Sequence, residues 1–152
     1  TILNSLMGVV LSKLIYDVTK LDQLEVLAQN TAVQLLKLPK SVVYLEGDLG
    51  AGKTTFAQMV LKSLGFSGHV QSPSYSIVNT YPIGQIQVAH ADFYRLDSEE
   101  SLSLIGWDLI VESSKIVLIE WADILNEDPD LLIKFILTPS GQRIVEITSS
   151  WR

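Results

Sequence analysis

The sequence predicts an α/β fold: a mixed, mainly parallel sheet flanked by helices, with β-hairpin additions. Three observations predict it. Two short apolar runs, residues 42–46 (VVYLE) and 115–120 (KIVLIE), read as strands covered on both faces, as parallel strands are. Apolar residues recur at helical spacing ahead of the first run, and a second helix follows its glycine-rich loop. Two pairs of strand-like segments, 75–81 with 85–92 and 131–137 with 143–148, are each joined by turn-forming residues and read as hairpins.

Taken in order, residues 13–18 read as a short strand. Thr19 and Asp22 have the spacing of a capping box. Leu21, Leu24, Leu27, Ala28, Thr31, Leu35 and Leu36 then mark the core-facing stripe of a helix that Pro39 ends. The strand over 42–46 leads through a glycine-rich loop into a helix over 53–64, which Gly65 stops. The segments 75–81 and 85–92 join through Pro82-Ile83-Gly84. Asp97 or Ser98 caps a short helix reaching Leu104. The strand over 115–120 follows, and a hairpin with TPSGQ at its tip closes the chain. No linker, repeat or low-complexity tract divides the 152 residues, and 47% of them are hydrophobic, so one domain with a sizeable core is expected over 1–152.

Composition excludes several function classes. The net charge of −6 argues against tight, autonomous nucleic-acid binding, because phosphate affinity comes largely from Lys and Arg. Any RNA connection is expected to run through a partner. The absence of cysteine rules out disulfides, thiolate metal sites and a cysteine nucleophile, and suits a reducing cytoplasm. The apolar start, ILNSLMGVVLSKLIYDV, is interrupted by Asn4, Ser5, Ser12 and Lys13. It is too short and polar for a transmembrane helix and lacks the basic start of a signal peptide, so no membrane association is expected. Residues 1–12 read as an extension to which no role is assigned.

The chemistry starts at Gly47-Asp48-Leu49-Gly50-Ala51-Gly52-Lys53-Thr54, which fits G-x-x-x-x-G-K-[ST]. A strand precedes it and a helix follows, so the fold is P-loop NTPase-like. Glycine lets the backbone turn tightly and approach a ligand closely. Successive N–H groups then form an anion nest, and the helix adds the positive end of its dipole. Lys53 supplies a compact charge for the β- and γ-phosphates, and the Thr54 hydroxyl can ligate Mg²⁺. Thr55 is a further candidate for phosphate contact from the first helical turn. A glycine-rich turn without a ligand is the plain alternative; strand, lysine, hydroxyl and helix in register argue against it.

Hydrolysis also needs a carboxylate at the metal and a group to orient water. Glu120 ends KIVLIE and Asp92 ends QIQVAHAD, and in open α/β sheets ligands sit beyond the carboxyl ends of the strands. Each acid could instead salt-bridge or cap the next helix. His90 shares a strand face with Asp92 and lies near the site or serves as a satisfied core histidine. Arg95 is a phosphate contact or a partner of Asp97 or Glu99. Trp121 shapes the pocket or packs in the core.

GDLGAGKTT, SPSYSIVNTY, HADFYRL and LIEW, in this order and spacing, resemble the TsaE (YjeE) family. The resemblance covers about residues 13–138. It implies a bacterial ATPase with a P-loop α/β domain, using ATP and Mg²⁺. It further implies that this ATPase works with TsaB and TsaD in threonylcarbamoyl modification of adenosine 37 in tRNAs reading ANN codons, the tRNA being engaged through the complex. By position it implies phosphate binding by Gly50 to Thr55, and Thr54, Asp92 and Glu120 at the metal. Glu120 becomes the group that orients water, with Trp121 beside it. Ser72-Pro73-Ser74-Tyr75 corresponds to a switch-like segment in which Ser74 replaces the usual Thr. The strand and helix over 13–38 are expected to form the adenine side. Low intrinsic turnover is expected, since Arg95, Arg143 and Arg152 do not cluster. The same scarcity argues against a small-molecule kinase with an arginine-rich lid. The absence of N-K-x-D argues against a guanine switch, and a nucleotide-dependent binding module without turnover remains the other alternative.

Overall fold

The computed structural model describes the backbone of residues 2–6 and 9–151 and the side chains of residues 12–149. In chain order the elements are β1 (Ile2–Leu6), β2 (Val9–Asp17), α1 (Leu21–Lys37), β3 (Ser41–Glu46), α2 (Lys53–Ser63), β4 (Val78–Ile83), β5 (Ile86–Asp92), α3 (Glu100–Leu104), α4 (Trp107–Ser113), β6 (Ile116–Glu120), a 3₁₀ turn (Ala122–Ile124), β7 (Leu131–Leu137) and β8 (Arg143–Trp151). The strands form one eight-stranded sheet in the order β1-β2-β8-β7-β3-β6-β5-β4. Its centre, β7-β3-β6-β5, is parallel, and antiparallel strands extend it on both sides. The expected mixed α/β sheet with hairpin additions is thus the observed one. Of the extension over 1–12, the backbone of 2–6 pairs with β2 at the sheet edge, while residues 1, 7 and 8 lie outside the described residues.

β3 and β6 become central because their residues are apolar on both faces. Val43, Leu45, Ile116 and Leu118 enter the core under α1 and α2, while Val117 and Ile119 face the opposite layer with Phe93, Leu102 and Trp107. Alternation along β6 therefore decides which helical layer each side chain meets, and it leaves Glu120 on the α2 side with Ile116 and Leu118. Phe56 of α2 is fully buried and meets Phe135 edge-on at 5.5 Å between centroids. Phe56→Ala is expected to cost about 3–5 kcal/mol of stability, measured by denaturant unfolding, because it empties a close-packed site beside the phosphate loop.

Several local expectations are corrected. Thr19 does not cap α1. Its hydroxyl donates to Asp17 and accepts from the Arg143 N–H, while the Gln23 side chain accepts from the Lys20 N–H and closes the first turn. The α1 stripe is Leu24, Leu27, Ala28, Thr31, Ala32 and Leu35; Leu21 (67% exposed) and Leu36 face solvent. The strand ends at Asp17, one residue earlier than expected, although the Val18 N–H still bonds to the Arg143 carbonyl of β8. The β4–β5 hairpin turns at Gly84-Gln85, with Pro82 and Ile83 still in β4 and Ile83 opposite Ile86. Gly84 takes the left-handed conformation such a two-residue turn needs. β4 begins only at Val78, because residues 73–76 form a turn. α3 starts at Glu100 without a side-chain cap from Asp97 or Ser98. α4 carries no sequence signal recognised above: a left-handed Gly106 starts it and Trp107 is its inward anchor.

Candidate functional site

β3 delivers the phosphate loop at the carboxyl end of the parallel centre, between β6 and β7. Gly47 (φ 151°) and Gly52 (φ 109°) both occupy left-handed backbone. A Cβ on Gly47 would lie 2.9 Å from the Phe135 carbonyl oxygen, so the chain can pass β7 here only as glycine. Ala51 N–H donates to the Asp48 carbonyl at 3.1 Å, closing the loop, and Gly52 begins α2. Leu49 stands at the loop tip, largely exposed.

Lys53 opens α2 yet is only 5% exposed. Its Nζ donates to the Gly47 carbonyl and lies 3.8 Å from the centre of the Trp121 ring. Burial pushes its pKa below the ordinary lysine range, and the negative field of Glu120, Asp92, Asp48 and Asp123 opposes that shift. Trp121 reaches this position because its own backbone is left-handed (φ 55°), a conformation that costs a non-glycine residue of order 1–3 kcal/mol.

Thr54, the next residue on α2, donates its hydroxyl to Glu120 Oε1 at 2.8 Å and lies 3.1 Å from Oε2. Asp92 stands directly opposite Glu120 in the parallel β5–β6 register. The three candidates for the metal therefore converge from α2, β6 and β5. Thr55 sits in the same first turn of α2. Burial pushes the Asp92 carboxyl above its ordinary range, Glu120 adds to the rise, and the Tyr94 N–H (2.9 Å to Oδ1), Lys53 and His90 oppose it. Because the folded-state value is raised, the ionised carboxylate weakens the fold at neutral pH, and that penalty disappears as pH falls through the Asp92 titration. Asp92→Asn is therefore expected to melt at a higher temperature than the unsubstituted chain at pH 7 in EDTA, with the difference vanishing near pH 3. The amide oxygen can still accept from Tyr94.

The remaining candidates separate. His90 is fully buried against Glu120, with Nε2 2.7 Å from Oε2. Arg95 does not pair with Asp97 or Glu99; its guanidinium lies 5.0 Å from the centre of the exposed Tyr75 ring. Ser72 and Ser74 share a hydroxyl hydrogen bond of 2.8 Å, and the Pro73 carbonyl accepts from Ile77, whose own carbonyl accepts from Asp92 N–H. The switch-like segment is thus tied to the backbone of Asp92. Arg152 lies outside the described residues.

Two residues were not assigned a role at the site. Tyr94 holds Asp92 through its N–H, and its ring lies 4.9 Å from Trp121. The Asp-x-Tyr spacing, an Asx turn, was its sequence signal. Arg143 belongs to no motif in the sequence, yet its Nη1 would lie 3.9 Å from a Cβ on Gly52, a proximity that the β7–β8 hairpin creates. A cavity of about 950 Å³ adjoins the loop, lined by Gly47 to Ala51, Lys53, Trp121 and Asp123 and running over Leu132 and Lys134. Thr54, Asp92 and Glu120 do not line it; they sit on the β5–β6 side of Lys53. Among the described residues, no helix is long and apolar enough to cross a membrane.

The family model described as "Threonylcarbamoyl adenosine biosynthesis protein TsaE" matches residues 18–145. The chain belongs to the TsaE family. The TsaE match contains the phosphate loop, both acids and the start of β8. A TsaE from Nostoc sp. (strain PCC 7120), named tRNA threonylcarbamoyladenosine biosynthesis protein TsaE, is 42% identical over 113 residues, 71% of this chain and 70% of its own length. The TsaE of Bacillus subtilis (strain 168), under the same name, is 35% identical over 111 residues, 72% of this chain and 69% of its own. The crystal structure of Bacillus subtilis YdiB has a similar fold, with a TM-score of 0.70 at 27% identity over 91% of this chain and 86% of that one.

Proposed function

We propose that this TsaE-family chain is a Mg²⁺-dependent ATP hydrolase serving threonylcarbamoyl modification of adenosine 37 in tRNA, its ATP cycle coupled to a TsaB–TsaD complex. The observation that carries the reading is the Thr54–Glu120 hydrogen bond. It places a strand-end carboxylate at the hydroxyl that ends the phosphate loop, beside Asp92. With one acid holding the metal, the other is free to act on water, a role that binding alone does not require.

The donor set fits Mg²⁺: one hydroxyl and one or two carboxylates, with the remaining positions left to phosphate oxygens and water. Among the described residues no three His, Asp or Glu gather into a cage, in keeping with a metal held jointly with its nucleotide. Bound there, Mg²⁺ supplies neutralisation of the charge that builds on the phosphoryl oxygens. The loop amides and the α2 N-terminus grip the phosphates, and Lys53 adds a charge that its protein surroundings leave poorly hydrated. Thr54 and Asp92 would hold Mg²⁺, and Glu120, whose carboxylate stands beside both, would accept a proton from water and orient it toward the terminal phosphoryl group. Trp121 covers Lys53 and keeps bulk water from it.

The test is hydrolysis by the purified chain, alone and with TsaB and TsaD. Slow turnover alone and a changed rate with the pair are expected. Equal turnover in both conditions counts against coupling, and calorimetry showing no preference for ATP over GTP counts against the adenine reading.

A further inference from the structure

His90 lies in the centre of the molecule with none of its surface exposed, and the chain spends a polar ring there for one contact: Nε2 to Glu120 Oε2 at 2.7 Å. Among the described residues, Nδ1 is buried without a partner. The contact needs a proton on Nε2, since a carboxylate only accepts. The hydrogen bonding thus places a donating proton on Nε2.

We propose that His90 is the positioning residue for Glu120. The inference rests on the hydrolase reading above. Glu120 is the last residue of β6, where the next residue turns into left-handed backbone and the strand no longer constrains it. Its carboxylate has two anchors, Thr54 on Oε1 and His90 on Oε2. Thr54 is the anchor that would be given up if its hydroxyl held Mg²⁺. His90 is the anchor that stays: it is fixed by the β5–β6 register, two residues before Asp92 on the same strand face. It keeps Oε1 aimed at water and denies the carboxylate a rotation toward the Lys53 ammonium. One short strand thereby carries a metal-side acid and the residue that orients the other acid. Groups that orient a catalytic carboxylate or ligand in this way typically matter 10–100-fold.

The test uses steady-state ATP hydrolysis by the full chain with Mg²⁺, with and without TsaB and TsaD. His90→Leu is expected to lower kcat about 10–100-fold while KM for ATP stays within about threefold. His90→Gln, whose amide nitrogen reaches the Nε2 position, is expected to restore most of the rate. His90→Asn, whose amide nitrogen reaches only the Nδ1 position, is not. In a double-mutant cycle, adding His90→Leu to Glu120→Gln is expected to cost nothing further, because His90 acts through Glu120. A readout without nucleotide or metal is the imidazole proton spectrum: a downfield Nε2 proton in the unsubstituted chain, shifted upfield in Glu120→Gln.

Should His90→Leu fail to fold, the Gln–Asn contrast decides. Equal rates for those two, unchanged kcat in a folded His90→Leu, or a further loss on top of Glu120→Gln each overturn the proposal. Hydrolysis by the unsubstituted chain and its loss in Lys53→Ala, measured in the same assay, separate failure of this inference from failure of the hydrolase reading.

Discussion

Lys53→Ala is expected to abolish Mg·ATP binding at micromolar concentrations and to lower turnover by about 10²–10³-fold or more. The size of the effect follows from where the ammonium sits. It is nearly inaccessible, bonded to the Gly47 carbonyl and roofed by Trp121, so a phosphate meets a charge stripped of most of its water. Attraction between charges grows as the surrounding dielectric falls, and the loop amides alone are partial charges. The fold should survive, because burial already disfavours the charged lysine. Calorimetric titration with Mg·ATP checks the binding, and circular dichroism the fold. A folded variant with unaltered affinity would remove the phosphate loop from the account.

Glu120→Gln separates binding from chemistry. Turnover is expected to drop by about 10²–10⁴-fold, the usual range for loss of a positioned general base. Affinity for Mg·ATP should change much less, since loop and lysine are intact. The amide fills the same space, and an oxygen at the Oε2 position can accept from both Thr54 and His90, which lie 3.1 Å and 2.7 Å from it. Single-turnover hydrolysis beside equilibrium binding reads the two quantities apart. A variant that hydrolyses at the unsubstituted rate would exclude Glu120 from the reaction.

The phosphate loop was legible because its chemistry is local. Glycine spacing, the lysine and the hydroxyl lie within one stretch, and the flanking strand and helix announce themselves by apolar runs and by period. Strand ends were legible too, so Glu120 and Asp92 could be named as acids at the carboxyl edge. Misreadings fell where a competing local partner existed. Thr19 bonds back to Asp17 and across to β8 instead of capping α1, and Pro82 stays in β4 because this antiparallel edge strand has no neighbour beyond it to require its N–H.

By itself, then, the sequence determined the layered α/β class, the loop that grips phosphate, and which residue types stand at the ends of the central strands, all consequences of composition and spacing over a few neighbours. Only the tertiary structure decided which of those residues meet. The parallel β5–β6 register sets Asp92 beside Glu120, α2 lays Thr54 on it, His90 closes on its other oxygen, and the left-handed turn at Trp121 swings an indole over Lys53. Pairing register and backbone handedness arise from contacts between segments far apart in the chain, so no local pattern encodes them.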